Sequence, residues 1–161
     1  MQDDHSPRIE CLYVTHGAGE PMCAVTSVCA IAERGLKGDR YCEGKGTYSA
    51  YTDRGWGANV TLIQSEAIEA INQGHQTEFT GEMLRRNIVT SNIKLESLVG
   101  HHFRCGSATL KATKQFPPCA HLALLLDCRE VLKYFAYCGG IGATVVAGGE
   151  FKVGDRIEVL V

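Results

Sequence analysis

Two consecutive prolines, Pro117 and Pro118, limit what this chain can fold into more than any other feature. They remove two backbone donors and force extended geometry, so neither a helix nor an inner strand runs through them. Directly afterwards Leu122, Leu125 and Leu126 fall at helical spacing. Cys119 is thereby placed at a helix start, where unpaired N–H groups and the positive end of the helix dipole favour a thiolate. Such a sulfur serves as a soft metal ligand, a nucleophile or a sulfur carrier. The plainer alternative is a buried, inert cysteine.

With 161 residues, 45% hydrophobic and 21% charged, the chain suits one globular domain over 1–161 with a sizeable core. A net charge of −2 and the lack of any long Lys or Arg run argue against nucleic acid or an anionic membrane as partner. The polar start, Met1 to Arg8, has no apolar secretory region, and no stretch is long and apolar enough to span a bilayer. A cytoplasmic protein is expected. Its eight cysteines are scattered without C-x-x-C spacing, so reduced thiols are expected rather than a disulfide framework. His102 with Cys105, and Cys119 with His121, are weak candidates for halves of a metal site.

Along the chain, 8–14 and 23–31 read as strands, with a turn at His16–Pro21 between them. A Gly-rich segment, 35–57, is long enough to suggest function, and its aromatics Tyr41, Tyr48, Tyr51 and Trp56 argue against disorder. A strand at 59–63 precedes a helix over 65–73, with Ser65 as N-cap and Gly74 just past the end. Another strand follows Arg85, and 103–113 reads as a hairpin turning at Gly106–Ser107. Asp127 and Glu130 read as a capping pair opening a second helix to Tyr137, with Val131, Leu132 and Phe135 inward. The tail reads as a hairpin turning through Gly148–Gly149. This order is mainly β, and a closed or partly closed antiparallel barrel with two or three short helical insertions is expected.

Two further loops offer chemistry. Gly38-Asp39-Arg40 follows a Gly-x-x-Gly turn, where backbone N–H groups can approach an anion and Lys37 and Arg40 add charge. Arg85-Arg86-Asn87 enters a strand, and paired guanidiniums suit phosphate or carboxylate. Ion pairing with Glu78 or Glu82 is the alternative. His121 could orient or protonate a group beside the Cys119 sulfur, or be structural. Together they describe a site for an anionic ligand with soft-metal or sulfur chemistry.

These segments resemble, in order, the MOSC domain family, named after the C-terminal domain of molybdenum cofactor sulfurase. The resemblance is carried by Gly35-Leu-Lys-Gly-Asp-Arg-Tyr41, Val60-Thr-Leu-Ile-Gln64, Arg85-Arg-Asn-Ile-Val-Thr90, Leu98-Val-Gly100, Pro117-Pro-Cys119 and Gly148-Gly-Glu-Phe-Lys-Val-Gly-Asp155. It departs from the family at Tyr41, often His there, and before Gly139–Gly140, where Arg is frequent. It implies a barrel-like β fold binding the molybdenum cofactor, a pterin dithiolene (molybdopterin) with a terminal phosphate. Cys119 would then ligate molybdenum, and Lys37, Arg40, Arg85 and Arg86 would be candidates for the phosphate. It also implies reduction of N-oxygenated small molecules with electrons from a separate donor protein. The family's other role, cofactor sulfuration, would instead need a Cys119 persulfide and a cofactor-biosynthesis partner. A third possibility is a non-catalytic cofactor carrier. Pyridoxal phosphate, which belongs to a desulfurase domain fused upstream in the sulfurases, is not expected. Oligomeric state is left open.

Overall fold

Strand β5 (Val60–Gln64) lies at the centre of the protein and is buried on both faces. Its alternation sorts two cores: Val60 and Leu62 face one hydrophobic cluster, Ile63 the other. Its neighbour β6 (Ile88–Ser91) repeats the division with Ile88 and Val89. Helix α1 (Ser65–His75) connects the two strands, which run parallel, as a crossover connection requires. Every other ladder among the described residues is antiparallel. The structure, a computed structural model, describes residues 4–46 and 57–160. Tyr48, Tyr51 and Trp56 of the Gly-rich segment lie outside the described residues.

The remaining strands are β1 (Arg8–Val14), β2 (Cys23–Val25), β3 (Ser27–Ile31), β4 (Gly35–Leu36), β7 (His102–Cys105), β8 (Ala108–Gln115), β9 (Ile141–Ala147), β10 (Gly149–Lys152) and β11 (Ile157–Leu160). They form an eight-stranded sheet, β11-β7-β8-β9-β5-β6-β1-β2, and a three-stranded sheet, β10-β3-β4. The larger core lies between the sheets, with Leu12, Leu36, Leu62, Phe103, Leu110 and Phe151 at its heart. The smaller core covers the other face of β5 and β6. It brings Ile68 of α1 together with Phe79, Leu84, Leu122, Val131 and Phe135.

The fold is mainly β with few short helices, as expected, but its ladders do not close into a barrel. The large sheet ends at β11 and β2; between β1 and the approach of β11 there is an isolated bridge, Arg8 to Arg156, with backbone bonds such as Ile9 N–H to the Asp155 carbonyl at 2.9 Å, but no ladder.

Several local expectations are corrected. The run 23–31 is two strands in different sheets, parted at Thr26. Gly74 lies inside α1, and the left-handed cap is Gln76; Ser65 is the first helical residue and donates to Glu66. Asp127 caps the C-terminus of α2 (Ala120–Leu126) in the left-handed region rather than opening α3 (Glu130–Tyr134). Leu132 is half-exposed, while Val131 and Phe135 are buried. The tail is no hairpin: β9 pairs with β8 and β5, β10 with β3, and β11 with β7. Gly148 and Gly149 are there for close approach. A Cβ on the first would sit 2.9 Å from the Ala30 carbonyl oxygen, and on the second 2.5 Å from the Ser107 backbone. The expected turn at Gly106–Ser107 does join β7 to β8.

In β1, Ile9 and Leu12 both face the large core although they are three apart. A register shift between Ile9 and Cys11 resets the parity, which puts Cys11 and Tyr13 on the small core. No described helix is long and apolar enough to cross a membrane. All eight cysteines are free thiols.

Candidate functional site

Pro117 and Pro118 deliver Cys119 to the N-cap of α2 in extended geometry, φ −116° and ψ 168°. The Cys119 carbonyl accepts the first helical bond, from Ala123 at 3.1 Å, while its thiol makes no capping bond. Half-buried, the sulfur faces a small cleft that it shares with His121 and Leu122 of the same helix. Arg40, Tyr41, Arg85, Arg86, Leu84 and Phe116 complete the lining. The cleft is partly open and small, about 30 Å³, room for roughly one water molecule.

Arg86 holds the cleft together. Buried, it donates through Nε to the Gly139 carbonyl at 2.9 Å, through Nη1 to Leu84 at 3.2 Å and through Nη2 to Phe116 at 2.9 Å. Its guanidinium also stacks on the Phe116 ring, 4.5 Å from the centroid. The strand entering β6, the Pro-Pro segment and the Gly139–Gly140 turn are thus tied to one cation. Gly140 is required there. Its φ is +100°, and a Cβ would lie 1.9 Å from the Leu62 carbonyl oxygen.

Arg40 is buried likewise. It pairs with Asp39 Oδ1 at 3.2 Å, donates to the Met22 sulfur at 3.6 Å and to the Arg85 carbonyl at 3.1 Å, and lies over the Tyr41 ring. Asp39 also accepts the Thr15 and Tyr41 N–H groups at 3.1 and 3.3 Å. Burial pushes the Asp39 carboxyl up, and the adjacent Arg40 opposes that shift. Burial pushes the Tyr41 hydroxyl up as well.

Arg85 differs from both. Its backbone is left-handed at φ +59°, a costly conformation for a residue with a side chain. Nη1 donates to the Glu20 carbonyl, but Nη2 is buried without a partner. Burial lowers its pKa, and the neighbouring Arg40 lowers it further. His121 Nε2 is buried without a partner too. Two of the residues that line the cleft with Cys119 thus carry an unsatisfied polar atom, which implies an unmet demand for a polar group there.

Of the residues singled out from sequence, Cys119, His121, Arg40, Arg85 and Arg86 therefore converge, although the chain separates them by up to some 80 positions. The others lie elsewhere. Lys37 is exposed and outside the cleft. Gly38 makes the turn at φ +87°, and the Asp39 N–H is spent on the Leu36 carbonyl at 3.0 Å, so it is not offered to an anion. Asn87 is fully buried between strands. Its Oδ1 accepts the Thr61 N–H at 3.0 Å, and its amide donates to the Tyr13 carbonyl at 3.1 Å. Sequence reading overlooked Tyr41, Phe116 and Leu84 as lining residues. The aromatics were findable, since each neighbours a residue of interest and offers a face to an arginine.

Among the described residues no group of three or more His, Cys, Asp or Glu side chains gathers to hold a metal ion. The cleft brings one thiol and one imidazole, so a metal there would need its remaining ligands from a bound group. A cofactor carrying its own sulfur donors meets that need, and the two unsatisfied atoms fit a ligand with oxygen atoms.

Comparison with known proteins adds the following. The structure is similar to that of the YUAD protein from Bacillus subtilis, with a TM-score of 0.76 and 19% identity over 96% of this chain and 95% of that one. It is similar to YiiM from Escherichia coli, with a TM-score of 0.70 and 17% identity over 96% and 70% of the two chains. YiiM from Geobacillus stearothermophilus gives 0.70 and 15% over 96% and 75%. At these identities the likeness shows the fold. No curated protein matches the sequence. The model of the MOSC domain matches residues 51–158, two thirds of the chain and everything from β5 to the middle of β11. The protein belongs to the MOSC domain family.

Proposed function

We propose that the protein binds the molybdenum cofactor with Cys119 as a metal ligand and acts on N-oxygenated small molecules. One observation carries this reading: Cys119 lines a small cleft together with Arg85 and His121, each of which has a buried side-chain nitrogen without a hydrogen-bond partner. MOSC domains are generally associated with this cofactor, which supports the choice among soft-metal ligands.

Cys119 would hold the metal through its sulfur, a soft donor on a segment stiffened by two prolines. Arg85 and His121 would hydrogen-bond oxygen atoms presented beside that sulfur. A cleft of about 30 Å³ takes the metal end alone, so we assign Arg85 to this end rather than to the distant phosphate. Arg40 and Arg86 are already engaged with protein acceptors and contribute positive field and rigidity. His121 brings the one imidazole to the cleft lining, able to donate or accept a hydrogen bond there. Leu84, Leu122 and Phe116 restrict water. When bound, the cofactor supplies two-electron, oxygen-atom-transfer chemistry, with electrons drawn from a separate protein.

The test is molybdenum per chain after expression in a cofactor-producing host, wild type beside Cys119→Ala. Near-stoichiometric metal that disappears in the variant is expected. Metal retained by the variant, or absent from both, overturns the assignment. A persulfide on Cys119, read by mass spectrometry in metal-free protein, would point instead to sulfur transfer.

A further inference from the structure

Arg85 occupies a backbone position ordinarily given to glycine. The N–H groups of Leu84, Arg85 and Arg86 donate to the carbonyls of Thr80, Glu82 and Gly81 at 3.0, 3.1 and 3.3 Å, which makes 80–86 one helical turn. The last two bonds are the pattern that ends a helix on a left-handed residue, most often glycine. Arg85 takes that place at φ +59°. Keeping an arginine there carries a standing conformational cost, which points to a use for its side chain that glycine cannot meet.

Those bonds close the turn on itself, and two others tie Arg85 to the rest of the protein. Arg85 Nη1 donates to the Glu20 carbonyl, and the Arg85 carbonyl accepts from Arg40 Nη2 at 3.1 Å, across 45 positions of sequence. The second bond grips the backbone, and its donor is itself well held. Arg40 is 4% exposed, its Nη1 pairs with Asp39 Oδ1 at 3.2 Å, and Asp39 is anchored by the Thr15 and Tyr41 N–H groups. A charged donor bonds a carbonyl more strongly than a neutral one. Both terminal nitrogens of Arg40 are thus engaged by protein acceptors, although the residue lines the cleft.

The electrostatics agree. Arg40 stands close enough to Arg85 for its charge to oppose the protonation of Arg85. A neutral donor would hold the same carbonyl without that repulsion. Asp39 balances Arg40, whereas no ion pair among the described residues includes Arg85. An anionic group beside Arg85 relieves the conflict.

We infer that Arg40 is a positioning residue: its guanidinium, seated on Asp39, holds the Arg85 backbone so that the Arg85 side chain lines the Cys119 cleft, and it does not itself touch the ligand. This departs from the expectation that Arg40 binds a cofactor phosphate. It rests on the reading of Arg85 as a residue that hydrogen-bonds ligand oxygen atoms.

Two measurements on the full chain test it: amide hydrogen exchange followed by NMR, and the half-life of bound molybdenum during dialysis after expression in a cofactor-producing host. Arg40→Lys keeps the charge opposite Asp39 but lacks the flat fork that spans both acceptors. Exchange at Leu84, Arg85 and Arg86 should quicken about tenfold, with β8 and β9 unchanged. The molybdenum half-life should shorten by a similar factor. Added to Arg85→Ala, Arg40→Lys should shorten it no further, because Arg40 acts through Arg85. Asp39→Asn/Arg40→Met, which removes both charges together, should behave in the same way and covers the case in which lysine keeps the bond. Unchanged exchange at the three amides in both variants overturns the inference. So does a further loss of metal in the Arg85→Ala background, since Arg40 would then touch the ligand, or a half-life shortened by Arg85→Ala and by neither Arg40 variant. Where no form holds molybdenum the cofactor reading falls, and the exchange result by itself upholds or overturns the clamp.

Discussion

Arg86 sits over the Phe116 ring, its guanidinium carbon 4.5 Å from the centroid, while donating, through Nη2, to the carbonyl of that same residue at 2.9 Å. One side chain thus grips another residue by both its face and its backbone, and two further carbonyls complete the grip. Arg86→Ala would leave buried acceptors unpaired and should cost about 3 kcal/mol in urea unfolding. Arg86→Lys should lose most of that, since a single ammonium cannot reach three diverging carbonyls while stacking.

Arg85→Ala should behave in the opposite sense. It removes one hydrogen bond and an unsatisfied atom, so stability should change by less than about 1 kcal/mol. Metal content, or affinity for an oxygen-headed ligand, should nevertheless fall. The pair separates scaffold from site, and a strongly destabilised Arg85→Ala would count against that division.

Asn87→Ala should lower stability by about 2–3 kcal/mol, because its side chain bridges β5 to the β1 backbone inside the protein. Metal per folded chain should be unchanged. A selective loss of metal with normal unfolding would return Asn87 to the cofactor site.

Gly140→Ala should fail to give soluble folded protein, since the added methyl would overlap the Leu62 carbonyl at a positive φ. Gly38→Ala tests the contrast. A Cβ there meets no atom within 4 Å, so only the φ of +87° resists it, and a loss of about 1 kcal/mol by thermal unfolding is expected.

Burial pushes the Cys105 thiol from 9.0 up to about 12, with Asp155 adding to the shift. At pH 8 its thiolate fraction falls from about one in ten to about one in ten thousand, so alkylation should spare Cys105 while exposed Cys23 and Cys29 react. The linked stability has a definite sign. A raised folded pKa means that the unfolded chain binds fewer protons above pH 9. The Cys105 contribution is therefore intact below pH 9 and lost progressively as the pH rises from about 9 towards about 12. Cys105→Ala should flatten that alkaline limb, and an unchanged slope would show that other groups set it.

Local chemistry was readable where the partner was near in sequence. Pro117–Pro118 did set Cys119 at a helix start, and Gly106–Ser107 did turn β7 into β8. It failed where the partner was remote. Gly148–Gly149 has the composition of a turn, but its glycines answer to Ala30 and Ser107, which no local pattern names. Asp127 and Glu130 have the spacing of a cap, yet the helix before them claims Asp127 first. Arginine pairs carry the same ambiguity. Arg85 and Arg86 are identical in sequence terms, and only the three carbonyls around Arg86 show which of them is committed to the scaffold.

The smaller sheet has a consequence for how the chain reaches its native state. Its β3–β10 ladder sets Ser27–Ala30 against Gly149–Lys152, partners roughly 120 positions apart. Until the ribosome has released residue 152, β3 has only the short β4 beside it, Val28 has no opposing residue, and the large core stays open on one side. High contact order makes such closure slow, so a growing or C-terminally cut chain would carry an unpaired, apolar edge that invites aggregation. The last two strands thus act as a latch on the whole core, and losing them should leave a nascent-like intermediate rather than a slightly shorter domain.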